Sequence, residues 1–276
     1  MVKANIRDKN FIGYDKSSCH LAQNKFVEWV ADNTPVSKSC FITDLCLKDV
    51  NKAGGVKRKV AWLLEPRSIS PHMYSWIEQN NRLYDFVLTF DQKLIDKGEN
   101  YLYYPHGRCW IHNYEGIDNK SKFCSIFASD KSFTLGHRLR HMIVDRYKTT
   151  DKMDCYGKYA ENVLEKKEAG LNPYYFSVTV ENATVRGYWT EKLLDAFATK
   201  TIPIYYGDKF SVNKFFNQEG IIYFDTIEEL DEIIEKIDID FYAYRLSAVE
   251  ENFNKVEEFR VPEDWIYKEY PFLFDL

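Results

Sequence analysis

The sequence predicts an α/β protein: two Rossmann-like βαβ domains in tandem, facing a cleft, followed by a helical C-terminal tail. Three observations carry this expectation. Short apolar, β-rich runs alternate with amphipathic stretches at helical spacing. The alternation pauses once, at the polar stretch "HNYEGIDNKSK" (112–122), and then begins again. After about residue 227 the pattern turns helical throughout. A chain of 276 residues is long enough for two cores, so the domains are drawn as 1–115 and 116–276, with 112–122 as the linker.

The elements follow in order. "KVAWLLEP" (59–66) is an apolar run stopped by Pro66 and reads as a buried strand. "SPHMYSWIEQNN" (70–81) opens on Ser70 and Pro71, a helix start. "YDFVLTFD" (84–91) is a strand, "DQKLIDKGE" (91–99) a short helix closed by Gly98, and "NYLYYPHG" (100–107) a further strand. Beyond the pause, "KFCSIFASD" (122–130), "LGHRLRHMIVDRYK" (135–148) and "PYYFSVTVEN" (173–182) read as strand, helix and strand. A helix after residue 187 leads to strands at 201–208 and 220–226, and the tail reads as helices over 227–237, 241–259 and 262–270. Strand–helix–strand order with short connections means parallel sheets, whose ligands sit beyond the carboxyl ends of the strands.

Composition narrows the function. The net charge of −5 disfavours a nucleic-acid binder, which would be basic. No stretch approaches the roughly 20 apolar residues of a membrane span, and the N-terminus lacks the apolar core of a signal peptide, so a cytoplasmic chain is expected. The six cysteines are scattered, with no C-x-x-C pair, and read as reduced thiols. Aromatic residues make up 16% of the chain, which suits an aromatic core or a glycan-facing surface.

The stretch "ENATVRGYWTEKLLDAFATKTIPIYYGD" (181–208) does not read like ordinary packing. At 3.6 residues per turn, Tyr188, Glu191, Lys192 and Asp195 would share one polar face, while Leu193, Leu194, Phe197 and Ala198 dock on the sheet. Gly187 would permit a tight turn into the helix. A phenol, a carboxylate and an ammonium at a helix start, beside N–H groups not yet bonded within the helix, suit a phosphate and a ribose. The same Glu191 also serves as a plain first-turn charge facing the helix dipole; spacing alone allows both.

Together with the "FSVTV" that precedes it (176–180), this stretch resembles the signature of the α-1,3/1,4-fucosyltransferases: F, then E-N, a Tyr seven residues after the Glu, T-E-K, a small-residue helix and I/V-P-I/V-Y-x-G. The match runs over thirty residues without a gap; the first ~50 residues and those after ~225 carry no such signature. The resemblance implies a GT-B-like fold and transfer of L-fucose from GDP-fucose to an oligosaccharide or surface-glycan acceptor, with inversion. It implies no obligatory cofactor, with a divalent metal as a stimulant at most. It assigns Glu65, at the carboxyl end of the strand in "VAWLLEP", as the general base on the acceptor hydroxyl, a role that partial burial would suit. Donor binding would fall to Asn182, Tyr188, Glu191, Lys192 and an Arg of the helix 135–148, Arg138 by match with Arg140 as the alternative. The family's Ser-Asn-like strand end is Ser129-Asp130 here. His106 is a candidate acceptor contact. The rivals are the same fold with another sugar nucleotide and a non-catalytic nucleotide- or glycan-binding protein. "DID" (238–240) and the His137/His141 pair imitate metal motifs, but lack the strand context and the third ligand those need.

Overall fold

The computed structural model describes residues 1–9, 17–19, 21–31, 34–112 and 117–275. The chain forms two compact units: Met1–Arg108 with Val185–Tyr188 and Glu258–Leu276, and Cys109–Thr184 with Trp189–Glu257. The division therefore falls after Arg108 rather than at 115. Of the expected linker, residues 113–116 lie outside the described residues. Lys120 is built into the second unit, where its buried ammonium donates to the Thr199 carbonyl at 2.7 Å and to Thr201 Oγ1 at 2.8 Å.

The first unit carries strands β1 (Val2–Arg7), β2 (Val27–Val30), β3 (Ser39–Thr43), β4 (Arg58–Trp62), β5 (Phe86–Thr89) and β6 (Tyr101–Tyr103), with helices α1 (Pro71–Asn80) and α2 (Gln92–Ile95). They form one parallel sheet in the order β2-β1-β3-β4-β5-β6. Asp91 ends the run after β5 and caps α2, its carboxylate accepting the N–H groups of Lys93 and Leu94.

The second unit carries β7 (Lys122–Phe127), α3 (Leu135–Tyr147), β8 (Asp154–Tyr156), β9 (Tyr174–Val180), α4 (Glu191–Ala198), β10 (Ile202–Tyr206), α5 (Lys209–Phe215), β11 (Ile222–Tyr223), α6 (Ile227–Lys236), α7 (Ile239–Tyr244) and most of α8 (Leu246–Phe259). Its parallel sheet runs β11-β10-β9-β7-β8. One cross-strand row, Ile126, Val178, Ile204 and Ile222, shows why these sequences are strands. Branched side chains at register positions stack into the core, each worth roughly 1.5–3 kcal/mol when fully buried. Aromatic side chains fill much of both units: Trp62, Trp189, Tyr174 and Phe176 are among the largest that are fully buried.

The tail does not stay with the second unit. Helix α9 (Pro262–Glu269) belongs to the first. There Glu263, fully buried, accepts the Ser18 N–H at 2.8 Å, and Asp264 accepts the N–H groups of Lys25 and Phe26 just before β2. Phe274 stacks on Phe41 at 5.0 Å. Among the described residues no helix is long and apolar enough to cross a membrane. All six cysteines are buried thiols, none in a disulfide.

Candidate active site

The order of the second sheet reverses between β7 and β9, and a doubly wound sheet opens its ligand crevice beyond the carboxyl ends of the strands at such a switch point. A pocket of about 500 Å³ lies there. Its walls are the end of β7 and the turn after it (Phe127 to Lys131), Gly157 and Lys158 after β8, the last turns of β9 (Ser177 to Val180), Arg140 of α3, and Glu191 with Lys192 at the start of α4. Val163, Leu164 and Leu171 supply an apolar side. Five cationic side chains, Lys131, Arg140, Lys158, Lys167 and Lys192, border it against two carboxylates, Asp130 and Glu191. The pocket thus combines an apolar wall with a cationic rim.

Each of these groups is set by its neighbours. Glu181, fully buried at the end of β9, accepts the Thr190 N–H at 2.8 Å and the Thr190 hydroxyl at 2.7 Å. Thr190 in turn caps α4, accepting the Lys192 N–H at 3.4 Å. The carboxylate therefore fixes where α4 begins. Burial pushes its proton affinity up, and Lys192 and the Thr190 donors oppose that. The Lys192 ammonium sits 2.8 Å from Glu191 Oε1, 3.2 Å from Thr190 Oγ1 and 3.8 Å from Glu181 Oε2. On α3, Arg140 is buried; its guanidinium donates to the Val180 carbonyl and, at 2.8 Å, to Asn182 Oδ1. Gly136 lets this helix meet the sheet, because a Cβ there would lie 1.8 Å from the Glu181 carbonyl oxygen. Asp195 is buried and bonded to Lys167 at 2.5 Å and to the Trp110 N–H at 2.6 Å.

The structure brings Glu191 and Lys192 to the pocket and puts Arg138, Asn182, Tyr188, His106 and Glu65 outside its lining. Arg138 is exposed and donates to the Ser132 carbonyl at 3.2 Å; Arg140, the alternative, is the one on the wall. Asn182 positions Arg140 and is not itself among the lining residues. Tyr188 is not on α4, which starts at Glu191, and so shares no helical face with it. It is 2% exposed and packs on Phe90 at 4.9 Å and His106 at 5.7 Å, within the first unit. His106, expected as an acceptor contact, is buried in that same aromatic packing. Gly187, at φ 97°, serves a close approach rather than a helix start, since a Cβ there would meet the Phe90 carbonyl oxygen at 2.0 Å. Glu65 is half-buried in the first unit, just past β4.

Sequence reasoning missed Glu181 and Lys167. Glu181 was visible only as half of an E-N pair, while Lys167 stands in the charge run "EKKEAG", which reads as a solvated face until the fold brings it under α4. The metal look-alikes take other work. His141 contacts the Ser129 carbonyl oxygen at 2.8 Å, and Asp238 caps α7. Among the described residues no group of three His, Cys, Asp or Glu gathers as a metal site.

A model of the C-terminal region of glycosyltransferase family 10 (fucosyltransferase) matches residues 117–260, just over half of the 276-residue chain and the whole of the pocket described above. The chain belongs to this family. Two relatives carry the fucosyltransferase name. The α-(1,3)-fucosyltransferase of Helicobacter pylori is 31% identical over 129 residues, covering 47% of this chain and 27% of its own length. A putative fucosyltransferase of Acanthamoeba polyphaga mimivirus is 27% identical over 186 residues, 58% of this chain and 30% of its own. The chain thus spans about three tenths of the length of these relatives. A crystal structure of an α1,3-fucosyltransferase with GDP-fucose superposes with a TM-score of 0.61 at 17% identity, covering all of this chain and 90% of that one. The two parallel-sheet units are therefore a fucosyltransferase fold.

Proposed function

We propose that the protein transfers L-fucose from GDP-fucose to a hydroxyl of a glycan acceptor, inverting the anomeric carbon. The observation that carries this reading is the cationic pocket at the switch point of the second sheet, with Lys192 and Arg140 on its wall. Its apolar side suits a purine, its cations a diphosphate, and the Glu191 carboxylate a pair of ribose hydroxyls. In the reaction the acceptor oxygen bonds to the anomeric carbon as the bond from that carbon to the β-phosphate oxygen breaks. The acceptor proton passes to Glu65, and the electron pair leaves on GDP. Charge that grows on the departing diphosphate meets donors already in place, which need not reorganise during the reaction.

On this reading Lys192, Arg140 and neighbouring donors do the work a divalent ion does elsewhere, and turnover should persist in the presence of a chelator, a divalent metal being a stimulant at most. Buried cysteine thiols suit a reducing compartment, and we place the activity in the cytoplasm. The test is a panel of sugar nucleotides and glycan acceptors with the product linkage determined by NMR, run beside Lys192→Ala. GDP-fucose should be the donor that gives product. The variant should lose roughly 10²–10³-fold in rate with its melting temperature retained. Normal turnover by Lys192→Ala, or preference for another donor, contradicts the proposal.

A further inference from the structure

The backbone that carries Glu65 is held by three buried side chains. Leu63 N–H donates to the Leu88 carbonyl at 3.0 Å, the last strand-like bond after β4. Beyond it the main chain bonds to side chains. The Leu63 carbonyl accepts from the Tyr104 hydroxyl at 2.6 Å, and the Glu65 carbonyl from the Tyr74 hydroxyl at 2.9 Å. The N–H groups of Leu64 and Glu65 each donate to one oxygen of Asp44, both at 2.9 Å. Asp44 is 1% exposed, and Tyr74 and Tyr104 are fully buried.

Asp44 directly follows β3 and opens the 3-10 segment Asp44–Lys52, whose N-cap is Thr43, so its carboxylate is turned across to the neighbouring strand end rather than capping its own segment. A buried carboxylate is costly unless hydrogen bonds compensate it, and here two amides of one turn do so. Only a carboxylate offers two acceptor oxygens at once; an amide side chain would accept one N–H and turn a donor toward the other.

We propose that Asp44 is a positioning residue for Glu65, fixing through the Leu64 and Glu65 amides the turn from which the base meets the acceptor hydroxyl, with Tyr74 and Tyr104 completing the hold. The inference rests on the assignment of Glu65 as base. Burial pushes the Asp44 carboxyl up to about 7, the two amides and Arg108 opposing this and Glu65 adding to it. Tyr74 and Tyr104, both raised by burial, also face it, and Arg67 lies over the Tyr74 ring and pairs with Asp91.

The experiment uses the full chain with GDP-fucose and the acceptor that the panel of glycans identifies, comparing Asp44→Asn, Tyr74→Phe and Glu65→Gln singly and in pairs. Because a misplacement of about 1 Å costs up to ~10²-fold, Asp44→Asn should lower kcat by ~10–10²-fold and Tyr74→Phe by a smaller factor. KM for GDP-fucose and the calorimetric Kd for GDP should stay at the wild-type values. Neither variant should lower kcat further once Glu65 is Gln, because a residue acting through another has nothing left to position. Wild-type kcat in both variants, or losses that multiply with that of Glu65→Gln, overturns the proposal. Should Asp44→Asn not fold, Tyr74→Phe and its pair with Glu65→Gln decide alone. If Glu65→Gln itself turns over normally, the base assignment fails and this inference falls with it, an outcome separate from the others.

Discussion

Arg138 and Arg140 stand two residues apart on α3, roughly 200° around the helix from one another. That spacing alone says that no more than one of them faces inward. The choice between them was also legible, because the buried positions of α3, Ile143, Val144 and Tyr147, form a stripe that continues back through Arg140 to Gly136 and His137. The family motif points to 138; the buried stripe points to 140. Arg140→Ala should cost roughly 10²–10³-fold in kcat/KM as the loss of one preorganised donor, whereas Arg138→Ala should stay near wild type. Steady-state kinetics on the two variants checks this, and the reverse order would mean that α3 presents its other face. Tyr188 was not legible in the same way. Helical spacing placed it beside Glu191, but the helix could not begin until Thr190, which the distant Glu181 holds.

At the scale of elements, helix starts decide the site. α3 opens with a reciprocal cap: Thr134 Oγ1 accepts the His137 N–H at 3.1 Å, while His137 Nδ1 accepts the Thr134 N–H at 3.3 Å. That second bond needs a neutral imidazole. Burial first, then the nearby Arg140 and Lys192, pull the His137 pKa down to about 4. The folded value lies below the ordinary 6.5, so this group's stabilisation is complete above about 6.5 and is lost as pH falls toward 4. A Gln at this third helical position can make the same reciprocal bond without titrating. His137→Gln should therefore flatten the fall in melting temperature between pH 6.5 and pH 4, measured by differential scanning calorimetry, and an unchanged slope would place the titration elsewhere. Apart from the short β8 and α5, the strands and helices from Arg58 onward were readable because each is a continuous periodic segment. Strands β1 to β3 were not: β1 pairs with β2 and β3, about 25 and 35 residues further along the chain, and nothing local announces that pairing.

At the scale of the whole molecule, sequence order gave the two α/β units but not their membership. The segment after Glu257 is helical as read, yet it folds with the first unit because Glu263 and Asp264 satisfy amides at Ser18, Lys25 and Phe26, an arrangement that no periodicity encodes. The family match over residues 117–260 covers the pocket and leaves the chemistry to its geometry. The proposed reaction depends on where the nucleotide binds. A crystal structure of the full chain with GDP settles that most directly. The diphosphate is predicted in the pocket beyond β7 and β9, within hydrogen-bond reach of the Lys192 ammonium and beside Arg140. GDP bound at any other place in the chain, with neither Lys192 nor Arg140 in contact with it, would contradict it.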